Sequence, residues 1–165
     1  MHKTNFLSLF CLTFILSGCF SGTTPYEGLS FPKTTASEIT FQESSVPPDC
    51  SAFAHLLMKT KMNSTGKDIS LAMRQEAEAK GAHLILVGLS REMQDEELST
   101  DRFDYYGPQY AYSFNKTWLG WKFGFDEWND AGNLIGIGAT TMEDGGISFD
   151  NTLLIQAVFL RCGEK

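Results

Sequence analysis

Basic residues are scarce in this chain of 165: thirteen lysines and arginines stand against twenty aspartates and glutamates, a formal charge of -7. With no basic surplus to release counterions from phosphates, nucleic acid is not an expected partner. Histidine is scarcer still, with three, and there is no Gly-x-Ser-x-Gly nucleophile elbow. Gly136-Ile137-Gly138 lacks the third glycine and the helix of a dinucleotide loop, so it reads as strand and no cofactor is expected. The longest apolar stretch, Phe6 to Leu16, is too short to span a bilayer. Internal repeats and low-complexity tracts are missing as well. What remains is 42% hydrophobic residues and twenty-one aromatics, enough for one packed core and too little for a second domain.

The N-terminus has its own grammar. His2 and Lys3 precede the apolar stretch, and Leu16-Ser17-Gly18-Cys19 closes it, the pattern of a targeting segment over residues 1–18. This resembles the lipobox of bacterial lipoproteins, whose cysteine thiol is acylated before the chain is cut in front of it. The resemblance implies that Cys19 becomes the lipidated first residue and that the chain meets the membrane through it. It also implies a place in the bacterial envelope, facing the periplasm. Phe20 and Ser21 stand where an inner-membrane retention signal would place aspartate, which points to the outer membrane. Losing residues 1–18 removes Lys3 and no acid, so 12 basic against 20 acidic residues leave -8. Residues 19–48 then read as a lipidated end and flexible tether, rich in Ser, Thr, Gly and Pro, with the domain spanning 49–165.

Cys11 leaves with the signal and Cys19 is taken by lipid, so Cys50 and Cys162 remain. In an oxidising compartment such a pair reads as a disulfide clipping the domain's ends, with free thiols as the alternative. A metal would need closer or more numerous ligands.

Between the cysteines, Ser51–Lys59 has the length and apolarity of a strand. Asp68 is placed to cap a helix running to Lys80, stopped by Gly81, with Ile69, Ala72, Met73 and Ala77 on one face. A buried strand follows over Ala82–Leu89, and Leu134–Thr141 and Leu153–Leu160 read as two more strands. Cys50 opening a strand, Ala72, Ala77 and Ala79 leading into Gly81-Ala82-His83-Leu84-Ile85-Leu86-Val87, and the ending Leu160-Arg161-Cys162 resemble small envelope lipoprotein domains related to the Rcs stress sensor and to enteric lipoproteins of unknown function. The fold expected is α+β: a mixed, largely antiparallel sheet of about five strands, one main packed helix, and termini joined by a disulfide.

Eleven aromatics, including all three tryptophans, crowd into Phe103–Trp128. Tyr110, Tyr112 and Phe114 alternate with smaller residues, as do Leu119, Trp121, Phe123 and Phe125, the pattern of a hairpin turning at Asn115-Lys116. In that register Trp118 stands on the opposite face. Trp118, with Tyr105, Tyr106 and Tyr110 around Gly107-Pro108, is the candidate surface for an envelope protein or a glycan. His55 and His83 fall in apolar strand runs and read as structural. Glu92, Asp95, Glu96, Glu97, Asp101 and Asp104 form an acidic cluster without the spacing of a calcium loop, so no metal is expected. The function expected is a non-enzymatic binding, sensing or assembly module; the alternative is a hydrolase of cell-envelope material using a histidine with that acidic cluster.

Overall fold

Nine of the ten residues from Cys50 to Lys59 are buried, so the strand they form needs a neighbour on each edge and cover on each face. The computed structural model, which describes residues 27–94, 96–114, 128 and 131–163, supplies them. Its strands are β1 (Glu38–Thr40), β2 (Cys50–Lys59), β3 (Ser64–Thr65), β4 (Leu84–Met93), β5 (Arg102–Tyr106), β6 (Tyr112–Ser113), β7 (Ala131–Leu134), β8 (Ser148–Phe149) and β9 (Leu153–Cys162). Its helices are α1 (Gly66–Lys80) and α2 (Ala139–Glu143). The main sheet runs β1-β4-β9-β2-β5, with β6 also on β2 and β7 also on β4. Every pairing in it is antiparallel except that of β1 with β4. A mixed, largely antiparallel α+β fold is therefore what the chain adopts, with seven strands in the sheet rather than five. Among the described residues no helix is long and apolar enough to cross a membrane.

The clip is present. Cys50 lies opposite Cys162 in the β2–β9 ladder, and the two are disulfide-bonded.

Helix α1 covers one face of the sheet through Ile69, Met73 and Ala77, which join Phe53, Leu56, Met58, Ile85, Ile155 and Phe159 in the largest core cluster. Its N-cap is Thr65, and Asp68 sits three residues in. The Asp68 carboxylate accepts the Thr65 backbone N–H while the Thr65 hydroxyl accepts the Asp68 N–H, a capping box. Asp68 thus serves the cap, but from inside the helix. Gly81 ends α1 at φ +87°, with the Pro32 carbonyl so close that a Cβ would fall 2.7 Å from it.

Three expectations are corrected. The stretch Leu134–Thr141 is not a strand: β7 stops at Leu134, residues 135–138 are irregular, and Ala139–Glu143 is helical with Met142 buried. Gly136 and Gly138 have no side chain to anchor a pleat, so the pattern of Ile135 and Ile137 was only half of a strand signal. Residues 27–48 are not a free tether. Leu29, Phe31, Ile39 and Phe41 pack against the main core, and β1 extends the sheet. Tyr110 does not continue the alternation of Tyr112 and Phe114, since β6 begins at Tyr112 and Tyr110 is 66% exposed. The second strand of the expected hairpin, its turn at Asn115-Lys116, and Trp118 lie outside the described residues, as do Cys19 and Asp95.

Candidate functional site

Strands β5 and β6 both lie on the outer edge of β2, with Gly107 to Ala111 bulging between them. That arrangement places Tyr106 directly opposite His55 and brings Tyr112 over the same ring. His55 Nε2 is 2.8 Å from the Tyr112 hydroxyl, and the Tyr106 ring meets the imidazole edge-on at 5.6 Å between centroids. Burial lowers the His55 pKa to about 4. Burial also raises the hydroxyls of Tyr106 and Tyr112, each helped by a neighbouring tyrosine. At neutral pH the imidazole is uncharged and the phenols keep their protons. Such a group exchanges hydrogen bonds but is poorly poised for acid–base work.

His83 is elsewhere. It precedes β4 at the disulfide end, where its Nδ1 accepts the Cys162 backbone N–H at 3.1 Å. Five steps along β2 take the chain from Cys50 to His55, roughly 16 Å of strand, so the two histidines do not share a site.

At the other end of β2, Lys59 is 5% exposed and directly opposite Arg102. Two cations in register repel unless acids intervene. Here Glu96 and Asp104 do so: Lys59 Nζ lies 3.6 Å from Glu96 and 3.9 Å from Asp104, while Arg102 reaches the same two carboxylates at 3.9 and 3.7 Å. Part of the acidic cluster is thus spent neutralising a buried lysine. Asp101 accepts the Lys61 backbone N–H at 2.8 Å, and Glu92 accepts from the Asn151 side-chain amide. Among the described residues no three His, Cys, Asp or Glu side chains converge as a metal site would require.

Two open clefts border this end and share Met93 and Asn151. One, of about 470 Å³, is completed by Met62, Glu96 and Glu97. The other, of about 390 Å³, is completed by Glu92, Gln94, Gly132 and Asn133. Their walls are carboxylates, amides and thioethers, and neither His55 nor His83 lines them.

The expected tyrosine surface is divided by the sheet. Tyr105 faces α1, packs edge-on to Phe159, and donates its hydroxyl to Glu76, with the Lys80 ammonium 4.9 Å from its ring centre. Tyr106 points to the opposite face and is half-buried among Leu57, Met93 and Leu154. Only Tyr110 of the three is broadly exposed. The structure also assigns weight to residues that the sequence left unmarked. Gln156 is fully buried, and among the described residues neither its amide oxygen nor its nitrogen has a hydrogen-bond partner. One glutamine inside the apolar run Leu153–Leu160 is the signal that could have found it. Arg91 stacks over Trp128 at 5.0 Å.

His55 makes a pH prediction. A native pKa near 4 against an unfolded value near 6.5 means that the unfolded chain takes the proton first. Stability is therefore full above pH 6.5 and falls as pH drops from there to about 4, by roughly 3 kcal/mol in all. Urea midpoints measured across this window should fall less steeply in His55→Gln than in the parent; parallel profiles would remove His55 as the cause.

No protein-family model, no curated protein and no solved structure matches the chain.

Proposed function

We propose that this chain is a lipid-anchored lipoprotein of the bacterial envelope, held on the outer membrane through Cys19, and that its domain is a non-enzymatic binding, sensing or assembly module. The observation that carries the reading is Leu16-Ser17-Gly18-Cys19 standing ahead of a domain closed by the Cys50–Cys162 bond. The motif specifies acylation and the bond belongs to an oxidising compartment, so two independent cysteine chemistries agree. The separation of His55 from His83, and of both from the carboxylate-lined clefts, favours a module over a hydrolase of envelope material. Tyr110, broadly exposed beside Gly107-Pro108, is the part of the expected contact surface open to an envelope protein or glycan.

Anchor and fold reside in separate segments. With residues 1–18 replaced by a secretory signal that is cut without acylation, Cys19→Ala should therefore leave the melting temperature of the domain unchanged while moving the protein from the membrane pellet to the soluble fraction. Retention of the alanine variant in the pellet after a high-salt wash would reject the lipid as the cause of its location.

A further inference from the structure

Resting on that reading of Cys19, we infer that residues 27–41 are a strap that shortens the leash between lipid and domain, so that the domain rides with the last turn of α1 toward the bilayer and its two clefts directed away from it.

The sequence pattern offers a leash of thirty-one steps, from Cys19 to Cys50. At full extension that is about 110 Å. The structure withdraws most of it. The Glu27 carbonyl accepts from Lys80 Nζ at 2.8 Å, and the Phe31 N–H donates to the Lys80 carbonyl at 2.9 Å. The Thr34 N–H donates to Glu78, and the hydroxyls of Thr34 and Ser37 both donate to the Ala82 carbonyl. Arg74 donates to the Ser37 carbonyl, and Arg161 donates to those of Pro32 and Gly81 while lying over the Phe31 ring. That ring sits edge-on to Phe53 at 5.0 Å, and β1 then pairs with β4. These contacts are polar and apolar together, spread over fifteen residues, and they terminate in the sheet itself.

Eight steps remain, from Cys19 to Glu27. Whatever conformation residues 20–26 adopt, they reach at most about 29 Å. Strands β2 and β9 are ten residues each, about 33 Å long. The leash is therefore no longer than the domain. It joins at Glu27, beside Lys80 at the C-terminal end of α1, whereas the clefts around Met62, Met93 and Asn151 lie toward the opposite end of the strands. Pressing the clefts onto the bilayer would leave the leash no slack. Charge opposes that orientation too: the mature chain carries -8 and the clefts are lined by Glu92, Glu96 and Glu97, which anionic headgroups repel.

The test uses the mature chain, residues 19–165, either acylated or coupled through the Cys19 thiol to a maleimide phospholipid. It is placed in phosphatidylethanolamine–phosphatidylglycerol nanodiscs containing a spin-labelled headgroup lipid, and paramagnetic broadening is read at each backbone amide. Amides of Lys80 and Gly81 should broaden at least twice as strongly as those of Leu134 and Asn151. Inserting twenty Gly/Ser residues between Gly22 and Thr23 should remove the difference without touching the fold, and Phe31→Ala with Arg161→Ala should reduce it by releasing the strap. Equal broadening in the parent, or stronger broadening at Asn151, would overturn the inference. The coupled protein gives this answer even if mass spectrometry finds Cys19 unacylated in cells, a result that would defeat the anchoring reading and leave the leash geometry measured separately.

Discussion

Replacing Cys50 and Cys162 together by serine should lower the unfolding free energy by about 4 kcal/mol and the melting temperature by roughly 10–15 °C, with the far-ultraviolet circular dichroism unchanged. The bond spans 112 residues of chain and so removes a large closure entropy from the unfolded state, about 4–5 kcal/mol as an upper value. It adds little that the native sheet needs. Beyond the disulfide, β2 and β9 remain paired from Ser51 with Arg161 to Lys59 with Leu154, interrupted only by the bulge near Phe53. The same loss should follow from reducing the parent protein, and thermal denaturation with and without reductant checks it. A reduced protein melting within about 2 °C of the oxidised one would mean that the unfolded ensemble already holds these ends together.

The two cysteines also show where sequence reasoning succeeds. β2, β4 and β9 announce themselves because strands buried on both faces need unbroken apolar runs, and Leu84-Ile85-Leu86-Val87 or Leu153-Leu154-Ile155 can be little else at that length. α1 is legible from Ile69, Met73 and Ala77 at helical spacing and from the left-handed stop at Gly81. What local pattern cannot carry is an element held mainly by the rest of the fold. β1 is three residues of half-exposed chain, stabilised by the edge of β4 and by Phe31 and Phe41 packed against the core, and nothing within Glu38-Ile39-Thr40 distinguishes it from a linker. α2 is five residues long, too short to show a period, and is fixed by its approach to α1. There a Cβ on Gly66 would fall 1.8 Å from the Thr141 carbonyl oxygen.

The site divides in the same way. His55 reads as structural from its apolar neighbours, and the structure shows it buried, with its pKa lowered to about 4 by that burial. Its pairing with Tyr112, 57 residues away, depends on Tyr112 and Ala52 being opposite each other across β6 and β2. Tyr105 and Tyr106 are adjacent in sequence, which by itself suggests one surface. In a strand, adjacent residues point to opposite faces, so no single partner can use both. Lys59 closes the run Ser51–Lys59, and its burial is possible only because a loop returns Glu96 and a strand returns Asp104.

The second large effect is expected at Phe159. This ring is fully buried in the cluster under α1, 6.4 Å from Phe53 and 6.4 Å from Tyr105, with Ala54 and Ile85 as its register partners on either side. Two of those neighbours are rings fixed by other contacts and one is an alanine on a central strand, so the site has little freedom to collapse. Phe159→Ala should then cost about 3–5 kcal/mol, the range for a deleted aromatic whose cavity persists. Tyr110 provides the contrast. Tyr110→Ala should cost less than about 1 kcal/mol, because most of its ring is already in water. Urea denaturation of both variants decides between this arrangement and the simple alternation of Tyr110, Tyr112 and Phe114. If Tyr110→Ala proved nearly as costly as Phe159→Ala, Tyr110 would be buried in the folded protein, and the bulge between β5 and β6 would have to be redrawn as continuous strand.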